Sequence, residues 1–190
     1  GTLGAESTQV QYYQTVHHKP IIGGNISRNP PFKFEYFARV PLFKSITDIE
    51  LYRTVEAATI ERDRALAPAL MYLYDVRYVV IHPAIPGRLP YADTKSQVER
   101  YVKEVIAMEL IYAQDGLEVY KVRQPPPPQV LTINFGIGGS CAYRGPGWAE
   151  DEEIAGATAN WAVDQRACLF FPLREMGDYT MTLRAVPFFY

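Results

Sequence analysis

Four consecutive prolines, Pro125 to Pro128, constrain this chain more than any other feature. A proline run offers no backbone N–H and fixes φ, so it can enter neither a helix interior nor a central strand. It forms a short, stiff polyproline segment instead. The run therefore divides the sequence into residues 1–123, a linker at 124–128, and residues 129–190. Helical and strand patterns alternate before the linker. After it, short apolar stretches are separated by glycine-rich turns. The expected fold is an α/β part, a mixed sheet with flanking helices, followed by a small all-β, sandwich-like part. Some 62 residues are few for a complete sandwich, so the second part is expected to be truncated or completed by pairing with the first.

Local signals place the elements of the first part. Residues 8–17 suit a short helix ended by Pro20 and the pair Gly23-Gly24. Asp48 suits the N-cap of a helix starting near Ile49, and helical pattern returns over 61–74 with Pro68 as a break or first-turn residue. The run RYVVIH (77–82) is β-branched and stopped by Pro83, which marks a strand. Asp93 or Thr94 caps a helix whose Val98, Tyr101, Val102, Val105 and Ile106 share one face. Segments 109–113 and 117–122 flank Asp115-Gly116, the chemistry of a tight hairpin turn. Beyond the linker, 130–135, 167–171 and 179–185 read as strands. In the last of these, Tyr179, Met181, Leu183 and Ala185 alternate with Thr180, Thr182 and Arg184.

Motifs for catalysis are weak. The formal charge of −2 comes without a basic cluster, so no nucleic acid partner is expected. No apolar run approaches the roughly 20 residues that cross a bilayer. His17 and His18 are adjacent, so they point about 100° apart on a helix and cannot share one metal there. Gly136, Gly138 and Gly139 superficially match a dinucleotide loop, but Cys141 stands at the third glycine position and no helix follows. Neither Ser27 nor Ser140 has a nucleophile-elbow setting, and the acidic run 150–153 lacks the spacing of a calcium loop. Cys141 and Cys168 match no zinc or redox pattern; buried thiols are the favoured reading, with a disulfide left open. No cofactor and no metal are expected. Aromatic residues are 13% of the chain, and Trp148 and Trp161 beside Gly and acidic residues suit sugar stacking as well as a core.

The segment YYQTVHHKPIIGGNISR (12–28) resembles a "YQT-HGKPI-GG-SR" pattern of large bacterial membrane glycosyltransferases of the GT-C type, which include the dolichyl-phosphate-mannose-protein mannosyltransferase-like enzymes. His18 stands where that pattern has Gly, and Asn25 where it has Tyr. DVRYVVIH (75–82) is similar to the family's "GVRYVVLH" strand, and LEVYKV (117–122) to its "L-VY-V" strand before a proline-rich break. Gly147-Trp148, Asn160-Trp161 and GDYTMTLR (177–184) resemble a jelly-roll appendage.

The resemblance implies a non-catalytic accessory domain on the extracytoplasmic side of a bacterial membrane. Its expected partners are the membrane-spanning region of its own parent chain and a glycan or acceptor. In that family the catalytic acid lies in a loop between the early transmembrane helices, which has no counterpart in this sequence, so the resemblance carries over no catalytic residue. His17, Lys19, Ser27 and Arg28 are the motif positions expected to gather as a ligand site at the Gly23-Gly24 turn, with Trp148 and Trp161 as stacking surfaces. An independent carbohydrate-binding module of a secreted protein and a small enzyme of another type are the alternatives.

Overall fold

The structure, a computed structural model, describes residues 6–22, 31–84, 89 and 91–185. It is an α+β fold. In chain order it contains α1 (Glu6–His17), α2 (Pro31–Arg39), α3 (Phe43–Glu50), α4 (Ala57–Leu73), β1 (Tyr78–Ile81), α5 (Tyr91–Val105), β2 (Met108–Gln114) and β3 (Leu117–Val122). A 3-10 turn (Ser140–Tyr143) and a hairpin of β4 (Glu152–Ile154) and β5 (Ala157–Ala159) follow.

The strand order is β1-β3-β2, and β3 runs antiparallel to both neighbours. β1 and β2 are therefore parallel, joined through α5, with β3 inserted between them as in a split β-α-β unit. Asp115 (φ 50°) and Gly116 (φ 78°) make the hairpin turn as expected, since both central residues of that turn need positive φ. Tyr120 and Val122 turn toward the helices, where Val79 and Met108 also pack. Ile111 forms an irregularity in β2, after which Tyr112 pairs with Val119. The opposite sheet face leaves Tyr78, Val80 and Tyr112 exposed. α5 is fastened to the sheet at Lys103, which pairs with Glu118 at 2.9 Å and lies over the Tyr120 ring.

Helices α2 to α5 bury the core against that sheet: Tyr36, Val40, Leu42, Phe43, Leu70, Met71, Tyr101, Val102 and Val105. α5 buries the predicted face. The earlier helices differ from expectation. α2 starts at Pro31, a residue preset for a first helical position. α3 spans Phe43–Glu50, so Asp48 lies in its last turn instead of capping it. Between them Leu42 takes φ 68° and ψ −57°, and the Phe43 N–H donates to the Pro41 carbonyl at 2.9 Å. That is a γ-turn of the rare, strained kind, and the full burial of Leu42 is what holds it. Pro68 sits inside α4 on an exposed position, and burial of Ala67, Leu70 and Met71 carries the helix through it.

Of the β-sandwich-like expectation for the second part, the described residues show one small antiparallel hairpin. Residues 130–135 and 179–185 form no strand, and Leu169 makes only an isolated bridge to Arg144. Alternation alone does not make a strand; a partner backbone must accept its hydrogen bonds. Among the described residues, none faces 179–185, whose Tyr179, Met181 and Leu183 are exposed. The regular part here is the β4-β5 hairpin and a short ladder in which Trp148 pairs with Ala162.

Residues 139–145 instead pack onto the helical core. Ala142 is fully buried there, the Tyr36 hydroxyl donates to its carbonyl at 2.6 Å, and the Cys141 thiol donates to the Arg39 carbonyl at 3.4 Å. Phe170 meets the Tyr36 ring edge-on at 5.7 Å. Arg174 bonds the Asp75 carboxylate and the Tyr72 carbonyl, with its guanidinium 4.2 Å from the Tyr72 ring centroid.

Candidate functional site

Ser27, Arg28 and the Gly23-Gly24 turn lie outside the described residues. His17 ends α1, is exposed, and accepts the Lys19 N–H through Nδ1 at 3.0 Å. Lys19 is exposed as well.

Trp148 and Trp161 belong to the ladder in which the Ala149 N–H donates to the Trp161 carbonyl and the Val163 N–H to the Gly147 carbonyl, both at 2.9 Å. Trp148 pairs with Ala162, and Trp161 lies opposite Ala149. Successive positions on a strand point to opposite faces, so the two indoles share no common platform. Trp148 is partly buried; one face stacks on Phe135 at 4.9 Å, and its Nε1 donates to the Cys168 carbonyl at 2.8 Å. Trp161, also partly buried, donates to Glu152 at 2.8 Å. Both indoles are thus engaged in building this part of the chain.

Cys141 and Cys168 are both free; the first is half-buried and its thiol is pushed up by that burial, while the second is exposed and so departs from the buried-thiol reading. Among the described residues, no cluster of three His, Cys, Asp or Glu is placed to hold a metal.

Two clefts among the described residues lie elsewhere, at a loop the sequence did not single out. Residues 51–56 join α3 to α4 and separate two adjoining clefts that share Thr54 and Val55. The larger, about 330 Å³, is bounded by Ile49, Tyr52, Arg53, Gln97, Arg100 and Tyr101 among others. The smaller, about 210 Å³, is bounded by Lys44, Ser45, Asp48, Glu56, Thr59 and Arg62.

How α3 ends explains the shape. The Arg53 N–H donates to the Asp48 carbonyl at 2.8 Å and the Tyr52 N–H to the Ile49 carbonyl at 2.9 Å, the bonding of a Schellman motif with Tyr52 at its left-handed position. Glycine is usual there. A tyrosine at φ 60° costs on the order of 1 kcal/mol, because its Cβ crowds the following carbonyl. The strained backbone turns the ring outward at 63% exposure over the mouth of the larger cleft, and its hydroxyl reaches Asp93 on α5 at 3.2 Å. Partial desolvation, and then the hydrogen bond and charge of Asp93, push this phenol up.

Lining residues of both clefts are tied to Asp63, which is fully buried. Its Oδ2 accepts from the Ser45 hydroxyl at 2.5 Å and the Tyr101 hydroxyl at 2.6 Å. Its Oδ1 accepts from Arg62 through Nη2 at 2.8 Å and Nε at 3.1 Å. A carboxylate bonded four times is a strut that orients Ser45, Arg62 and Tyr101 along the cleft walls. Burial, followed by the hydrogen bond to Asp63, drives the Tyr101 phenol well above its ordinary range. At the rim Asp48 holds Lys44 at 2.5 Å and Arg53 at 2.9 Å; the Lys44 hydrogen bond is the main cause that keeps its carboxyl low.

The arrangement offers an exposed aromatic face beside hydroxyls, an amide and guanidinium groups. That chemistry suits a polyhydroxylated ring, with C–H groups on the tyrosine and hydroxyls on the polar wall. No helix among the described residues is long and apolar enough to cross a membrane. No family model, no curated protein and no solved structure matches the chain.

Proposed function

We propose that this chain is a non-catalytic accessory domain of a membrane glycosyltransferase, on the extracytoplasmic side, and that it holds a glycan or acceptor in the cleft at Tyr52. The observation that carries the binding part is Tyr52 itself: a bulky residue kept in a left-handed conformation, with its ring exposed at the mouth of the larger cleft. Strain of this kind gathers where a side chain must be aimed. The membrane context rests on the resemblance of 12–28, 75–82 and 117–122 to the GT-C enzymes. On this reading the membrane-spanning region of the parent chain is the principal partner. The alternating run 179–185 is then sheet material of the implied jelly-roll.

Two measurements test the proposal. Glucose, mannose and short oligosaccharides are titrated into the 190-residue chain, followed by saturation-transfer NMR. Millimolar, saturable binding lost in Tyr52→Ala is the expected result, and no binding by any sugar removes the glycan role. The reading frame around this segment is expected to encode several long apolar helices. A frame with a secretion signal and no such helices favours the independent carbohydrate-binding module, which would use the same cleft.

A further inference from the structure

Resting on that carbohydrate reading, we propose that the Tyr52 cleft selects a singly anionic sugar, a ring carrying a carboxylate or phosphate, with Arg100 as the group that receives the charge. Three charged side chains line the larger cleft: Arg53, Arg100 and Glu104. Arg53 is committed to Asp48 at 2.9 Å, and Glu104 to Arg64 at 2.8 Å. Arg100 is exposed on α5 and makes no ion pair among the described residues. Its guanidinium is therefore the one charged group of that lining without an ion-pair partner among the described residues.

No nearby acid pairs with it directly. Asp48 is held by Lys44 as well as Arg53, and Glu104 shares Arg64 with Glu61. Asp93, at the rim, lies in the first turn of α5, where a carboxylate offsets the helix dipole, and it accepts the Tyr52 hydroxyl. Gln97 stands one turn before Arg100 on the same helix and lines the same cleft, and Thr54 lines it from the loop. A planar guanidinium matches a carboxylate or phosphate edge with two parallel hydrogen bonds, while a neutral sugar uses only one hydroxyl at a time. The volume of about 330 Å³ is near the lower end of ligand sites, which suits one ring more than a long chain.

Glucuronate, glucose 6-phosphate, glucose and inorganic phosphate are titrated calorimetrically into the full chain, into Arg100→Gln and into Arg100→Lys, with circular dichroism confirming that each variant is folded. The expected result is roughly tenfold tighter binding of the two acidic sugars than of glucose. Added salt reduces that advantage, Arg100→Gln brings the acidic sugars down to the affinity that glucose has for the same variant, and Arg100→Lys restores part of the difference. Which acidic sugar binds tighter decides between carboxylate and phosphate. Equal binding of glucose and the acidic sugars, unchanged by Arg100→Gln, overturns the anionic selection and leaves the glycan-holding role standing. Inorganic phosphate binding as tightly as glucose 6-phosphate overturns the sugar part of the selection, and binding of no sugar at all overturns both readings.

Discussion

The hydroxyl of Tyr36 lies 2.6 Å from the carbonyl oxygen of Ala142, and this bond joins the helical core to residues 106 positions further along the chain. The Tyr74 hydroxyl stands 2.7 Å from the same phenol and donates to it, since Tyr36 spends its own proton on Ala142. Tyr36→Phe leaves a buried carbonyl and the Tyr74 hydroxyl without their partner. It is expected to cost about 1–3 kcal/mol in urea unfolding. It also lowers hydrogen-exchange protection at 140–145 more than at 108–122. Equal loss in both regions would mean that the bond does not serve as the joint.

Asp63 is expected to be among the most sensitive positions. Asp63→Ala strands the Ser45 and Tyr101 hydroxyls and removes the counter-charge of Arg62, with an expected loss of about 3–5 kcal/mol. Asp63→Asn keeps the shape and part of the acceptor capacity, so it should cost less. Denaturant midpoints of the two variants check the order.

Alkaline titration separates the phenols. Burial raises Tyr36 to about 12 and pushes Tyr74 and Tyr101 higher still. A phenol whose folded value lies above its unfolded value near 10 contributes stability in full below pH 10. That contribution is lost as pH rises toward the folded value. The chain should therefore lose stability above pH 10. Of its 14 tyrosines, these three should ionise last, in step with unfolding. Phenolate absorbance followed together with circular dichroism tests this, and a smooth titration of all tyrosines in the folded state would contradict it.

Arg174 ties the last described stretch to the end of α4. Arg174→Ala removes its bonds to Asp75 and Tyr72 and its position over the Tyr72 ring, about 1–2 kcal/mol of local fastening. Limited proteolysis should then cut earlier in 171–185 and faster, while global stability falls less than in Tyr36→Phe. An unchanged cutting pattern argues that Phe170 alone holds the segment.

Gly147 tests the tryptophan ladder. It takes φ 90°, and a Cβ there would meet the Arg166 carbonyl oxygen at 2.1 Å. Both the positive φ and the contact with backbone oppose any side chain, so Gly147→Ala is expected to cost at least about 1 kcal/mol. Its fluorescence signature is a red shift as Trp148 and Trp161 become wetter. An unshifted spectrum would mean that the ladder tolerates the change.

Much of the α+β part was legible in the sequence because its signals are local. The face of α5 is written in spacings of three and four, the hairpin in Asp115-Gly116, and β1 in a β-branched run stopped by Pro83. Each is decided within about one turn of helix or one turn of chain. The ends of α1 and α4 fell at or within one residue of the expected positions, but the end of α3 was not legible for a specific reason. Tyr52 occupies the left-handed position after it, where glycine would have announced the boundary. The cleft at Tyr52 was missed with it, since its aromatic wall exists only because tyrosine stands at such a position.

What the sequence determined by itself, then, is which segments of 1–123 have helix or hairpin character. Tertiary structure decided where α3 begins and stops, how 139–145 packs against Tyr36 and Tyr74, and which polar side chains meet at Asp63. It also decided that 179–185, despite strict alternation, forms no strand with any described residue. The physical reason is common to all of these. A helix or a tight turn satisfies its backbone within a few residues, whereas a strand, a buried carboxylate or a strained left-handed tyrosine is stable only when groups distant in the chain arrive to complete it.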